Sequence, residues 1–258
     1  AGTSSVEMTS ADTSAADSSA KRKSSVRIDI DSAESDAVNE MQKERDEYSE
    51  SHGINGGPPI AGGVVLLVYG IIMEPTMNNL QNQSSWKLRA SAIEDVLTSV
   101  SEMTDIDVRR VRPHVPELFK FLASLLGDSN FKISITTLHI LEVLVQRLGP
   151  LARGVHANSL VRTLVDQLGN NKAVVRQAAL QVFTSLLQVI GAGPILKELL
   201  VMLDNLNWHV REAILRIVMQ ALLTRPLDEI DLPQLVVGLI HVLHDPKPMV
   251  AFAATEAL

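Results

Sequence analysis

Between residues 86 and 258 one helical phrase returns five times, and that repetition decides most of what the chain can fold into. The copies open at Trp86-Lys87-Leu88-Arg89, Phe131-Lys132-Ile133-Ser134, Lys172-Ala173-Val174-Val175-Arg176, Trp208-His209-Val210-Arg211 and Lys247-Pro248-Met249-Val250. Aligned, one column reads Leu88, Ile133, Val175, Val210 and Val250; four residues on, a second reads Ala92, Thr137, Ala179, Ile214 and Ala254. A third holds Ile93, Leu138, Leu180 and Leu215. Members of the first column are 45, 42, 35 and 40 residues apart. A unit of that length holds two helices and cannot bury its apolar face alone, so successive copies must stack.

The expected fold class is therefore all-α: an α-solenoid of HEAT-type helix pairs, about five repeats long, preceded by a disordered tail. Pairs are expected at residues 76–82 and 86–102, 114–126 and 131–148, 157–168 and 172–190, 194–204 and 208–223, and 233–243 and 248–258. Breakers stand where this pattern needs them. Pro113 and Pro116 open a helix, Gly149-Pro150 and Gly191 to Pro194 separate repeats, and Pro226 and Pro233 bracket the last junction. The short turns inside repeats, such as Gly127-Asp128-Ser129-Asn130 and Asn205-Leu206-Asn207, are rich in side chains that accept from free amides at a helix start. Apolar residues make up 46% of the chain but aromatics only 3%, which suits thin layers of Leu, Val, Ile and Ala.

Residues 1–57 read differently. Ser, Thr, Ala and acidic residues dominate, with six Lys+Arg against twelve Asp+Glu, so a disordered acidic tail is expected. The chain carries a net charge of −7, of which the tail accounts for −6, leaving residues 58–258 almost neutral. Within the tail, Lys21-Arg22-Lys23-Ser24-Ser25 is a basic cluster beside two phosphorylatable serines, and Glu40 to Glu50 could form a transient helix. Val64 to Met73, in the apolar stretch that opens the folded part, is expected to form a short buried helix ended or kinked near Pro75. The chain reaches Leu258 in mid-pattern and reads as part of a longer polypeptide.

The turns between the helices of each pair are the informative surface. Layers stack roughly 8–10 Å apart, so five equivalent turns spread over roughly 40 Å along one edge. One cationic or aromatic group per layer in a near-neutral body would make a narrow positive ridge suited to an acidic folded partner. Arg89, Arg176 and Arg211 recur near the start of second helices, where they are expected to pair with the neighbouring layer.

Trp86-Lys87-Leu88-Arg89-Ala90-Ser91-Ala92 resembles the first-repeat start of TOG domains, and Asp128-Ser129-Asn130-Phe131-Lys132-Ile133 resembles their second-repeat turn. The third repeat, Lys172 to Ala179, fits as well. Leu203-Asp204-Asn205-Leu206-Asn207-Trp208-His209-Val210-Arg211-Glu212 is similar to the crescerin branch of TOG-array proteins, with the CLASP branch second. The likeness covers about residues 76–258. It implies a partner, αβ-tubulin or microtubules, contacted through the intra-repeat turns: the first-repeat tryptophan toward β-tubulin and later basic residues toward α-tubulin. Carried over by position, the tubulin-binding candidates are Trp86, Lys87, Phe131, Lys132, Lys172, Trp208, His209 and Lys247. The implied setting is the cytoplasm and cytoskeleton; because crescerin-type proteins are ciliary, the resemblance leaves a cilium or flagellum and the general cytoplasm as alternatives. Three features depart from the family pattern: five repeats where a TOG domain has six, Ala251 where the arginine column would continue, and Phe131, an unusual residue at its turn.

Other functions find little support. No Gly-rich loop is followed by the lysine and serine a phosphate cradle needs, no His-Glu-x-x-His occurs, and there is no cysteine. His241, His244 and Asp245 lie close together but read as surface, so no metal, no cofactor and no enzymatic activity are expected. A nucleic-acid-binding array would need a far more basic face. The first twenty residues lack the apolar run of a secretory signal, and the apolar stretch Ile60 to Met73 is only 14 residues long, too short to span a membrane. The alternative is a HEAT-repeat scaffold that binds another protein or peptide; a rigid spacer is a third reading.

Overall fold

A computed structural model describes residues 66–153 and 156–258. The expected tail, its basic cluster, the Glu40 to Glu50 helix and the first residues of the apolar segment lie outside these residues. The chain divides into two units, Ala1–Gly56 and Gly57–Leu258, and all described residues belong to the second.

Among the described residues, five helix pairs follow one another. The first is α1 (Glu74–Leu80) and α2 (Trp86–Ser101). The second is α3 (Asp105–Val111), a 3₁₀ turn (Arg112–His114) and α4 (Val115–Leu125), paired with α5 (Phe131–Leu148). Then come α6 (His156–Leu168) with α7 (Ala173–Ile190), α8 (Ala192–Leu200) with α9 (Trp208–Thr224), and α10 (Leu232–Val242) with α11 (Pro248–Ala257). The second helices α2, α5, α7, α9 and α11 pack in that order, and the first helices α4, α6 and α8 pack in a parallel row. The expected solenoid of five pairs is what forms.

The repeat columns are the core. Ile133, Val175, Val210 and Val250 are buried, as are Ala92, Thr137, Ala179, Ile214 and Ala254 in the next column. Small residues there let second helices approach closely, and Leu138, Leu141, Leu144, Val182, Phe183 and Leu186 fill the space between α5 and its neighbours. α7 is long and apolar enough by composition to cross a membrane, but its apolar residues are committed to this stack. Polar rungs cross it: Gln146 donates to Ser185 Oγ at 2.9 Å, and Thr184 Oγ1 donates to Gln220 at 3.1 Å. At the edge away from the turns, Arg147 donates to the carbonyl of Ser101 at 2.6 Å and Arg153 to that of Val189 at 2.7 Å. Both arginines thus satisfy orphan carbonyls at helix ends of an adjoining layer.

Two local expectations are corrected. Val64 to Met73 does not supply a helix: among its described residues Leu67–Val68 and Ile72–Met73 are β1 and β2 of an antiparallel hairpin. A continuous apolar run is compatible with either state, and the turn chemistry decides it. Tyr69 (φ 53°) and Gly70 (φ 76°) both take left-handed conformations, closed by the N–H of Ile71 donating to Val68 at 3.3 Å. A Cβ on Gly70 would lie 2.7 Å from the carbonyl oxygen of Arg110, so only glycine lets the hairpin dock on α3. Pro75 does not end or kink a helix; it occupies the first turn of α1, where its missing N–H costs nothing. The helix α3 was not expected, yet its start carries a capping box: Asp107 N–H donates to Thr104 Oγ1, and Thr104 N–H donates back to Asp107 at 3.0 Å.

Candidate functional site

Each intra-repeat turn is built on the same device. A side-chain oxygen folds back onto a backbone amide two residues on: Asn82 accepts from Ser84, Asp128 from Asn130, Asn170 from Lys172, Asn205 from Asn207 and Asp245 from Lys247, at 2.8–3.0 Å. The second helix starts immediately after, with Ser85, Asn130 and Asn207 accepting from first-turn amides of α2, α5 and α9. The first helical residues therefore always stand at the tip of the turn. All eight sequence candidates fall there or on the residue just before: Trp86 and Lys87 on α2, Phe131 and Lys132 on α5, Lys172 before α7, Trp208 and His209 on α9, and Lys247 before α11.

Direct contacts tie the five turns into one row. Arg89 in the first layer holds Asp128 of the second through Nε at 3.0 Å and Nη2 at 3.2 Å. Lys172 of the third lies 4.1 Å from the centre of the Phe131 ring of the second, a cation–π contact. Asn207 of the fourth donates to the carbonyl of Gly169 in the third at 2.9 Å, where any Cβ on Gly169 would meet the Asn207 amide at 2.7 Å. Arg211 holds Asp245 of the fifth through Nε at 2.6 Å and Nη2 at 2.8 Å. The turns thus form a continuous rim.

Within the rim the candidates differ in what they offer. Trp86 is 40% exposed, and Lys87, Lys172 and Lys247 are exposed. Phe131, Lys132, Trp208 and His209 are half-buried. Phe131 packs on the core beneath Lys172; Trp208 packs on the core and stacks on His209 with ring centres 3.7 Å apart. Burial holds the His209 imidazole below its ordinary pKa and the Arg176 charge adds to this, against a weaker pull from Glu212, so the fourth layer shows a neutral aromatic pair at pH 7. Of the six lysines among the described residues, four (Lys87, Lys132, Lys172 and Lys247) lie on the rim, while Lys120 and Lys197 sit on first helices. Because Asp128 and Asp245 are neutralised by Arg89 and Arg211, the charge left over along the rim is positive.

The arginine column does two things. Arg89 and Arg211 are pinned in place: Nη1 donates to carbonyls of their own turn, Asn82 at 2.9 Å and Asn205 at 2.6 Å, while the fork holds the next layer's aspartate. Arg176 makes the carbonyl bonds, to Asn170 at 2.8 Å and Asn171 at 3.2 Å, but no ion pair with the next layer. The expected pairing fails at that layer because Asn205 occupies the position of Asp128 and Asp245. Asp245 is committed to Arg211, and His241 lies 3.0 Å from Asp204; among the described residues no group of three His, Asp or Glu could hold a metal.

No protein-family model matches the chain. It is 32% identical over 193 residues to TOG array regulator of axonemal microtubules protein 1 of Homo sapiens, covering 74% of this chain and 11% of that protein. It is 29% identical over 220 residues to Crescerin-like protein che-12 of Caenorhabditis elegans, covering 82% of this chain and 17% of that protein. The chain thus corresponds to less than a fifth of the length of these curated relatives. A solved structure from work showing that crescerin uses a TOG domain array to regulate microtubules in the primary cilium superposes with a TM-score of 0.65 at 30% identity, covering 74% of this chain and 76% of that one. The repeat architecture, the tied row of turns and these likenesses place the chain in the TOG-domain family, in its crescerin/CLASP branch.

Proposed function

We propose that this TOG domain binds αβ-tubulin through the rim of intra-repeat turns and regulates microtubule dynamics, with no chemistry of its own. The observation that carries the reading is the rim itself: five turns joined layer to layer, bearing one exposed tryptophan and an excess of positive charge. Support comes from the relatives, which are named as regulators of axonemal microtubules or described as regulating microtubules in the primary cilium. By the same token the setting is the cytoskeleton, including that of a cilium, and the domain acts as one element of a longer multi-domain protein.

On this reading Trp86 is the apolar anchor and Lys87, Lys172 and Lys247 supply charge at intervals. Such a surface gains on-rate from long-range attraction and affinity from the desolvated anchor. A partner that presents these contacts in only one of its conformations is selected in that conformation. Gel filtration of the chain with soluble tubulin tests the proposal. Co-elution at low salt that weakens as ionic strength rises, and that is reduced in a Trp86→Ala/Lys87→Ala variant of unchanged helicity, is expected. Absence of co-elution at low salt, with recovery of short peptides instead, would favour a peptide-binding scaffold.

A further inference from the structure

The three rim arginines are an internal comparison. Arg89, Arg176 and Arg211 occupy one column, and all three use Nη1 to hold carbonyls of their own turn. In Arg89 and Arg211 the guanidinium held this way turns its Nε and Nη2 edge toward the next layer. In two cases the edge is filled by a carboxylate, Asp128 or Asp245, with both oxygens engaged. These pairs show what the position is shaped to hold: a planar fork meeting a planar carboxylate.

At the third layer the fork is open. Asn205 makes the same turn as Asp128 and Asp245, its Oδ1 accepting from Asn207 N–H at 2.9 Å. Its other atom is an amide nitrogen, a donor standing where the carboxylates present the oxygen that takes Nε. Neither Nε nor Nη2 of Arg176 has an acceptor among the described residues, and Arg176 is half-exposed. The two turns are held together instead by the neutral bond from Asn207 to Gly169. Lys172 and the neutral Trp208–His209 stack lie in the same pair of turns. A permanently charged guanidinium is thus held in its turn at the middle layer of the rim, with Nε and Nη2 unused among the described residues.

We propose that Arg176 is a carboxylate-receiving anchor of the rim, taking an Asp or Glu side chain of the bound protein where its neighbours take one from the next turn. The identity of that protein as tubulin rests on the reading above; the site itself does not. Arg176 is then a specificity residue: it rewards a partner with an acidic side chain opposite the third turn.

The Asn205→Asp variant tests this, because it supplies the carboxylate internally while adding a stabilising ion pair, so that lost binding cannot be ascribed to unfolding. With the ¹⁵N-labelled full chain, hexaglutamate is expected to shift the Arg176 Nε–H resonance and leave those of Arg89 and Arg211 in place. In Asn205→Asp that shift is lost, the melting temperature rises, and affinity for soluble tubulin falls about 10-fold, the scale of one charge-assisted hydrogen-bonded contact. Absence of a shift at Arg176, or tubulin affinity unchanged in Asn205→Asp, would overturn the proposal. If the unaltered chain does not bind tubulin, the tubulin reading falls, and the hexaglutamate titration alone decides whether Arg176 receives carboxylates.

Discussion

Removing Asp245 isolates what holds the rim together. Its carboxylate takes Arg211 Nε at 2.6 Å, Arg211 Nη2 at 2.8 Å and the Lys247 N–H at 2.8 Å, with side-chain exposures of 11% for Arg211 and 6% for Asp245. In Asp245→Ala two donors of a largely buried guanidinium lose their acceptor. Breaking such a pair costs about 3–5 kcal/mol, and the lower end applies here because Nη1 keeps its carbonyls. Loss of the turn bond to Lys247 adds about 1 kcal/mol, for a total of about 4 kcal/mol. Arg211→Met should cost about 3 kcal/mol, since the carboxylate keeps one amide. The double variant has no orphaned charge and should cost about 2 kcal/mol less than the sum of the singles. Urea denaturation followed by helical circular dichroism closes this cycle. Costs that add to within about 0.5 kcal/mol would show that the two groups do not couple and would refute the account of the rim.

The same pair predicts a pH dependence. Hydrogen bonds from Arg211 chiefly, with that from Lys247 N–H and the nearby positive charges, hold the Asp245 carboxyl below its ordinary pKa against the opposing effect of burial. At Asp128 burial pulls upward, and the hydrogen bonds from Arg89 and Asn130 outweigh it, so its pKa is lowered too. A carboxylate with a lowered folded pKa contributes stability that is complete above its unfolded value, roughly pH 4, and lost as pH falls through the folded one. Stability should therefore drop below roughly pH 4, less steeply in Asp245→Ala.

Gly70→Ala should destabilise by about 1–3 kcal/mol, combining a left-handed φ with a Cβ 2.7 Å from the Arg110 carbonyl, and a midpoint unchanged in urea would contradict the docking of the hairpin. Thr104→Ala should cost about 1 kcal/mol and speed amide exchange in α3 ahead of other helices; uniform exchange would show that the capping box is dispensable. Leu141→Ala, at a fully buried site on α5, should cost about 2–5 kcal/mol, and a much smaller loss would mean that the stack closes around the cavity.

Much of this was legible because solenoid contacts repeat in sequence. The helix starts carry their own signals, Ser85, Asn130 and Asn207, so second helices are visible from side chains alone. The columns through Ile133 and Ala179 show which face is buried before any layer is placed. The hairpin was hidden because an apolar run does not distinguish strand from helix, although Tyr69-Gly70 held the turn signal. The helix α3 was overlooked although Thr104 and Asp107 are spaced as a capping box. Side-chain exposure was not legible: Trp86 and Trp208 open equivalent helices, but one protrudes while the other stacks on His209. Nor was the open fork of Arg176, since an ion pair depends on a residue in the next repeat, about 30–40 positions away, and shows only when the arginine column is set against Asn205 and Asp245 together.

The rim, and no other face, is expected to meet tubulin. Lysine-reactive footprinting of the chain with and without tubulin tests it directly, because exposed lysines lie both on and off the rim. Lys87, Lys172 and Lys247 should lose reactivity in the complex while Lys120 and Lys197 keep theirs. Protection of Lys120 and Lys197 with Lys87, Lys172 and Lys247 unaffected would contradict the account.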